Sequence, residues 1–254
     1  MTLPDRLLLA PAFDAPALLA EALALEPDAW LPHFNTEYYE GDWSGVALRS
    51  PGGRLSLYPD PASAEPYAET AHLARCPRVR AALERLETAV SSVRFLRLGA
   101  GARIREHRDF LIGLDYGEVR LHVPLETSDD VVFVLAGRAW PMLAGECWYV
   151  DVTQPHSVHN AGRTPRIHLV VDCAVNDWMR ARLDEASRQA FGRFVLRVAG
   201  DERLQEELRP IADREEFARR AVEAGARHGF AFTPRDVARA MDATFTRQFD
   251  GLNR

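Results

Sequence analysis

Short segments with a two-residue period fill the middle of the chain, from position 91 to position 173. Apolar and polar side chains alternate in ARIREH at 102–107 and in EVRLHVPLE at 118–126, and turns such as Gly99-Ala100-Gly101 separate such segments. Alternation places neighbouring side chains on opposite faces of a strand. Several short strands with this spacing are typical of an antiparallel sandwich or barrel. This region is therefore predicted to be mainly β.

Helical patterns flank the β region on both sides. Residues 14–26 repeat leucine and alanine at helical spacing after Asp14, a residue type that caps helix N-termini. Residues 77–87 begin with a proline, which suits the first turn of a helix. From residue 179 to the end of the sequence no segment alternates like a strand. The expected organisation is a β domain with helical N-terminal support at 1–178 and a small all-α module at 179–254.

The predicted C-terminal module contains about three helices between residues 187 and 250. The first is expected at 190–199, Asp201 and Asp213 are expected to cap later ones, and Thr233-Pro234 opens the last. Arginines and acidic residues are nearly balanced here, so a phosphate-binding face is not expected. The module is interpreted either as a charged extension that packs on the barrel, or as a surface for a peptide partner or homodimer.

The composition excludes several classes of protein. A chain of 254 residues with a net charge of −6 fits one substantial domain with an appendage, and argues against nucleic acid as a partner. No apolar run approaches the roughly 18 residues of a membrane span, and the start carries acidic residues early and lacks the basic n-region of a signal peptide. All 31 basic residues are arginine, which excludes chemistry that needs a lysine, such as Schiff-base or P-loop chemistry. The three widely spaced cysteines predict reduced thiols and a cytoplasmic location.

Histidines are concentrated in the β region. His107 and Asp109 form an H-x-D pair, whose side chains project on the same side of an extended segment. His156 follows the strand-like segment CWYVDV. Two histidines and a carboxylate on one face of an ion form the triad of non-haem Fe(II) oxygenases. For the H-x-D pair alone, the alternative is an ion pair between Asp109 and Arg105 or Arg108.

Two strand-like segments carry cationic side chains and imidazoles on one face. Arg120 shares a face with His122, and Arg166 shares one with His168. Because barrel interiors are normally apolar, such faces predict a cavity for an anion; the alternative is that they meet solvent. The fork of Arg166 suits a carboxylate such as the distal one of 2-oxoglutarate, and an internal arginine–aspartate pair would satisfy it equally.

The segments HRDFLIGLDYGEVRLHVPLE and GECWYVDVTQPHSVHNAGRTPRIHLVVD resemble the aspartyl/asparaginyl β-hydroxylase family, and within it the bacterial L-proline cis-4-hydroxylase branch. The resemblance extends over residues 34–172. It implies a double-stranded β-helix core of the cupin or jelly-roll type. It also implies dependence on Fe(II), on 2-oxoglutarate as co-substrate and on O2.

The same resemblance implies roles for individual residues. His107, Asp109 and His156 are the expected iron ligands, and Arg166 is expected to bind the distal carboxylate of 2-oxoglutarate. The remaining cofactor or substrate carboxylate contacts are assigned to three neighbours: Arg120, His122 and His168.

The C-terminal module has a weaker resemblance of its own. The segments FVLRVAGDERL at 194–204, ADREEF at 212–217 and HGFAFT at 228–233 resemble the Nif11-type domain, which is known chiefly as a leader of ribosomal peptide precursors. This resemblance is the reason for retaining a peptide partner as a hypothesis.

The sequence thus predicts an Fe(II)- and 2-oxoglutarate-dependent dioxygenase that hydroxylates an amino-acid side chain. The substrate would be a free, proline-like amino acid or a residue within a peptide. The alternative is a non-catalytic metal-binding cupin that acts as a sensor or scaffold. A zinc hydrolase is disfavoured because no dedicated general base accompanies the triad.

Overall fold

The computed structural model of the chain describes residues 3–10, 12–58 and 63–252. It divides into two compact units. Residues 8–181 form the first, which we call the β unit, and residues before 8 together with those from 182 onward form the second, the helical unit. None of the described helices is both long and apolar enough to cross a membrane.

The strands follow the alternating segments of the sequence. They are β1 (Arg6–Leu9), β2 (Leu31–Pro32), β3 (Tyr39–Glu40), β4 (Trp43–Pro51), β5 (Tyr67–Glu69), β6 (Val90–Leu98), β7 (Arg103–His107), β8 (Glu118–Glu126), β9 (Val131–Leu135), β10 (Arg138–Trp140), β11 (Cys147–Val150), β12 (His156–Asn160) and β13 (Arg166–Ala174). The helices are α1 (Ala15–Leu23), α2 (Pro77–Glu84), α3 (Asp177–Ala199), α4 (Glu202–Leu208), α5 (Arg214–Arg227) and α6 (Pro234–Leu252).

Strands β6 to β13 form the core of the β unit as two antiparallel sheets. The larger sheet has the order β11-β8-β13-β6 and continues through β4 to β2, while the smaller one has the order β10-β9-β12-β7-β3. Successive strands alternate between the sheets, except that β9 and β10 form a hairpin within the smaller one. This interleaving is the double-stranded β-helix, or jelly roll, so the predicted fold is confirmed.

An apolar cluster occupies the interior between the two sheets. It contains Leu98 of β6 and Trp148 of β11 from the larger sheet, and Ile104 of β7, Phe133 of β9 and Val158 of β12 from the smaller one. Both sheets therefore contribute one apolar face to a shared core, which is the arrangement that the two-residue period predicts.

The opposite face of the larger sheet is covered by the N-terminal helices. Phe95, Leu121 and Leu169 alternate with interior residues along their strands and are also fully buried. Helix α1 contacts both β8 and α2. The predicted N-cap of α1 is present, because Asp14 Oδ1 accepts a hydrogen bond from the backbone N–H of Ala17 at 3.1 Å.

The helical unit has an apolar core of its own. Phe194 of α3, Leu204 of α4, Ala221 of α5 and Val237 of α6 are buried in one cluster. Gly225 of α5 lies against the ring of Phe232, in the segment between α5 and α6. A Cβ on Gly225 would lie 2.3 Å from this ring.

Most of the predicted helix starts in this unit are confirmed. Asp201 and Asp213 accept backbone N–H groups in the first turns of α4 and α5 at 3.3 and 2.8 Å. The first helix is longer than predicted, since it begins at Asp177 instead of residue 190. Asn176 explains this start, because its Oδ1 accepts the backbone N–H of Met179 at 2.9 Å. The predicted boundary at 178/179 therefore falls inside α3.

The close approach of α5 to Phe232 gives a stability prediction. Gly225→Ala should destabilise the protein by about 1–3 kcal/mol, because the buried ring of Phe232 also contacts Phe191 and Phe194 and has no room to move. The matched control is Gly192→Ala in α3, where a Cβ meets nothing within 4 Å, and which should gain up to about 1 kcal/mol. Urea unfolding followed by far-UV circular dichroism measures both. Equal stability of the two variants would contradict the packing described.

Candidate active site

Three predicted ligand residues meet where β7 and β12 pair. His107 ends β7, Asp109 lies two residues beyond it, and His156 begins β12 directly opposite His107. One imidazole nitrogen from each histidine and one carboxylate oxygen of Asp109 all lie within 4.8 Å of one another. The structure thus brings together the H-x-D pair and the distant histidine.

The tautomers of the two histidines leave their outer nitrogens available. His107 Nδ1 lies 2.8 Å from the carbonyl oxygen of Arg105, and His156 Nδ1 lies 3.0 Å from that of Gln154. A carbonyl oxygen only accepts, so each Nδ1 is the donor, and in the neutral ring each Nε2 then carries a lone pair. Backbone acceptors of this kind are what normally orient metal-binding histidines.

Asp109 is held by a buried group of charges that we call the arginine–aspartate network. Its Oδ2 accepts a hydrogen bond from Arg120 Nη1, while Arg120 Nε and Nη2 bind the carboxylate of Asp172 at 2.6 and 2.9 Å. Asp172 also accepts from Arg94 Nη2 at 2.7 Å. Burial opposes ionisation of Asp109, but Arg120 and the two histidines outweigh it and hold its pKa below the ordinary value. Asp109 is therefore ionised, as a metal ligand must be.

Two other arginines that the sequence offered as partners for Asp109 bind elsewhere. Arg105 forms an ion pair with Glu40 at 2.8 Å. Arg108 Nη1 donates to the carbonyl oxygen of Thr153 at 2.8 Å. A loop-end ion pair of Asp109 with either of them is therefore not what the structure shows.

Arg166 is buried in the interior without an acidic partner among the described residues. The residue is 3% exposed, and its Nη2 donates a hydrogen bond to Nδ1 of His168 at 2.9 Å. Burial alone lowers the pKa of Arg166 to about 9. A guanidinium in such a place is costly unless it meets an anion. Among the described residues Arg166 therefore does not form the arginine–aspartate pair that the sequence left open for it.

His122 adds a second set of free polar atoms to this part of the interior. It is buried, and neither of its ring nitrogens has a hydrogen-bond partner among the described residues. Its ring centroid lies 5.8 Å from that of His168. Buried polar atoms are normally satisfied, so His122 and Arg166 together mark a place for a polar ligand.

Arg120 differs from its predicted role as an open carboxylate contact. Asp172 stands directly opposite it in the pairing of β8 with β13, so Arg120 is occupied from two sides by Asp172 and Asp109. A free guanidinium donor belongs instead to Arg94, whose buried Nε has no partner among the described residues.

Sequence reasoning missed Arg94, Asp172 and His33. Arg94 could have been found, because the two-residue period of β6 places it on the interior face with Leu96 and Leu98. Asp172 likewise shares its face of β13 with Arg166. His33 follows the two-residue strand β2 and carries no periodic signal.

Burial of neutral histidines gives a prediction on pH. Burial, followed by nearby arginines, lowers the pKa of His33 to about 3 and those of His122 and His168 well below 6.5. Below about pH 6.5 the unfolded chain therefore binds protons on these histidines that the folded chain does not bind. The free energy of unfolding is highest above this pH and decreases as the pH falls below it. Each histidine should contribute about 1.4 kcal/mol per pH unit.

Urea unfolding of the metal-free protein between pH 7.5 and 5, followed by tryptophan fluorescence, measures this loss. All five tryptophans lie within residues 8–181, so the signal reports on the β unit. His122→Phe should reduce the pH slope by about one proton, whereas His159→Asn at an exposed position should not change it. The same slope in both variants would contradict the assignment of a neutral, buried His122.

Comparison with known proteins agrees with this architecture. The profile of the aspartyl/asparaginyl beta-hydroxylase family matches residues 13–175. The L-proline cis-4-hydroxylase of Rhizobium meliloti (strain 1021) is 30% identical over 166 residues, which are 61% of this chain and 56% of that protein. The chain thus spans little more than half the length of this relative.

Among solved structures, a Pseudomonas putida prolyl-4-hydroxylase is 19% identical, with a TM-score of 0.44 over 68% of this chain and 94% of that one. An oxidoreductase of the 2OG-Fe(II) oxygenase family from Burkholderia pseudomallei is 16% identical, with a TM-score of 0.43 over 68% of this chain and 86% of that one. The profile match covers well over half of the chain and includes every candidate site residue named above. The chain belongs to the aspartyl/asparaginyl beta-hydroxylase family.

Proposed function

We propose that the protein is an Fe(II)- and 2-oxoglutarate-dependent dioxygenase that hydroxylates the side chain of an amino acid. One observation carries this proposal: a triad of His107, Asp109 and His156 shares an interior with Arg166, a buried cation without an acidic partner among the described residues. The first group suits a metal ion and the second suits an anionic co-substrate.

The donor set fits Fe(II) better than other common ions. Two neutral imidazoles and one carboxylate are the ligands found in non-haem iron oxygenases. They come from the adjoining ends of two paired strands, β7 and β12, so they would occupy one face of the ion and leave the other face for co-substrates. Bound iron would supply the oxidising chemistry, in which O2 is consumed with 2-oxoglutarate. The protein's part is to hold these ligands, fix their tautomers and exclude water.

Arg166 is proposed to bind the distal carboxylate of 2-oxoglutarate. Its fork can donate two parallel hydrogen bonds, and His168 fixes its orientation by accepting from Nη2. The unpartnered nitrogens of His122 offer a further donor to the same ligand. The co-substrate would thereby satisfy the buried polar atoms that the folded chain leaves without partners.

The substrate is proposed to carry a carboxylate of its own, as a free amino acid does. In the interior, Arg120 is paired with both Asp109 and Asp172, whereas Arg94 has an Nε without a partner among the described residues. Arg94 is therefore the cation proposed to meet the substrate carboxylate. The relative from Rhizobium meliloti is an L-proline hydroxylase, which supports a small amino-acid substrate.

The alternative, a non-catalytic metal-binding cupin, is less well supported. A sensor or scaffold needs the triad but has no use for a buried arginine and an unsatisfied histidine beside it. For the C-terminal residues 179–254 we propose a separate helical module, supported by the apolar core of the helical unit. A peptide partner or a homodimer through this module also remains a proposal.

Substrate-dependent release of succinate tests the proposed activity. A panel of free L-amino acids and short peptides is incubated with the protein, Fe(II), 2-oxoglutarate and O2. At least one amino acid should stimulate succinate formation, and Asp109→Ala should abolish both this stimulation and Co(II) binding measured by visible absorption. Absence of succinate formation with every member of the panel, together with intact Co(II) binding, would favour the non-catalytic alternative.

The proposed role of Arg166 gives a sharper prediction. Arg166→Lys keeps the charge but loses the two parallel hydrogen bonds, so the KM for 2-oxoglutarate should rise by about 10-fold or more. Arg103→Lys, at an exposed position of β7 in an ion pair with Glu40, is the control and should leave that KM unchanged. If the two variants have the same KM, Arg166 does not bind the co-substrate.

A further inference from the structure

His33 is held rigidly beside the candidate active site. Its backbone N–H donates to the carbonyl oxygen of Trp43 at 2.8 Å. Its ring stacks on that of Trp43 with centroids 3.4 Å apart, and on that of Phe34 with centroids 4.4 Å apart. Two rings at these distances cannot share one face of an imidazole, so His33 is clamped between them. The clamp prevents the ring from turning.

The tautomer of His33 is also fixed. Nδ1 accepts a hydrogen bond from the backbone N–H of Asn35 at 3.3 Å, so the ring proton belongs on Nε2. Burial, followed by the charge of Arg94, lowers the pKa of His33 to about 3, which keeps the ring neutral at physiological pH. Within the described chain no group accepts a hydrogen bond from Nε2. The side chain is nevertheless nine-tenths buried.

The surroundings of His33 belong to the candidate metal site. The charged groups that act on it are Arg94, Asp109 and Arg120, together with His107, a proposed metal ligand. Its stacking partner Trp43 lies 6.4 Å from the ring of His107. A free N–H donor is therefore positioned close to the proposed metal site. Arg120 is a less suitable ligand contact, because Asp109 and Asp172 already bind its guanidinium.

We infer that His33 is a specificity-determining residue, which donates its Nε2–H to an oxygen of the substrate carboxylate beside Arg94. This inference rests on the proposed function. A neutral, fixed N–H can donate a hydrogen bond to a carboxylate oxygen but cannot bond to an ammonium group, which is also a donor. His33 would therefore select the substrate orientation in which the carboxylate points toward Arg94. Arg94 supplies the positive charge and the unpartnered Nε–H, and the fixed N–H of His33 sets the direction of the second hydrogen bond.

The tautomer and its response to a carboxylate can be measured directly. The probe is acetate, the smallest organic monocarboxylate with a methyl group, added to the full chain loaded with Zn(II) and 2-oxoglutarate. Long-range ¹H–¹⁵N spectra report the imidazole tautomers, and His33→Phe assigns the His33 signals. We expect an Nε2–H tautomer whose ¹⁵N shift changes with acetate but not with chloride at equal ionic strength. An Nδ1–H or protonated ring, or equal responses to acetate and chloride, overturns the inference.

Kinetics with the best amino acid from the succinate panel provide the second test. His33→Phe keeps the stacking between Trp43 and Phe34 but removes the donor, so the KM for that amino acid should rise by about 10-fold or more. His33→Gln restores an N–H donor and should recover most of this loss, while the KM for 2-oxoglutarate stays constant in both variants. Equal amino-acid KM values for wild type and His33→Phe would refute the role. If no amino acid is turned over, the proposed function fails, and the spectra with acetate still decide on His33.

Discussion

The bidentate pairing of Arg120 with Asp172 is the interaction on which the site depends. It joins two central strands of the larger sheet, and through Arg120 Nη1 it reaches Asp109 at the end of the smaller sheet's β7. Asp172 is in turn shared with Arg94. These four charges satisfy one another, and removing either of the two buried ones, Arg94 or Asp172, would leave its partner uncompensated, at a cost of about 3–5 kcal/mol. The position of the proposed metal ligand is thus tied to the register of the sheet behind it.

This coupling explains why the interior can be polar at one end and apolar at the other. Phe133, Trp148 and Val158 fill the space between the sheets and supply the burial that favours folding. Arg166 and His122 lie in the same interior with donors that nothing in the described chain accepts. A rigid, well-packed frame can hold such groups because local repacking would open cavities in the core. Burial of the apolar residues offsets the free-energy cost of the buried polar atoms that have no partner. A bound ligand would form hydrogen bonds with these atoms.

Local periodicity predicted an antiparallel sandwich or barrel, while the double-stranded β-helix and the full set of three ligands were predicted from the resemblance to the hydroxylase family. Alternation along β8 and β13 assigns faces, and H-x-D spacing places His107 and Asp109 on one side. Register between strands is a different kind of information, since it is set by turns and bulges far apart in the chain. For that reason Arg120 was assigned to a ligand, although Asp172 stands opposite it. The early start of α3 was missed for a related reason, because one capping residue, Asn176, decides it.

His33 shows the limit of periodic reasoning most clearly. It lies in no extended strand or helix, and its role depends on a stack between Trp43 and Phe34 and on one backbone N–H that fixes its tautomer. None of these contacts has a spacing that a sequence pattern could reveal. They arise because the paired β2 and β4 bring His33 and Trp43 together. The periodic strands therefore position the proposed metal ligands and the proposed co-substrate anchor, while the proposed selection of a substrate is assigned to the irregular segment that the strands hold in place.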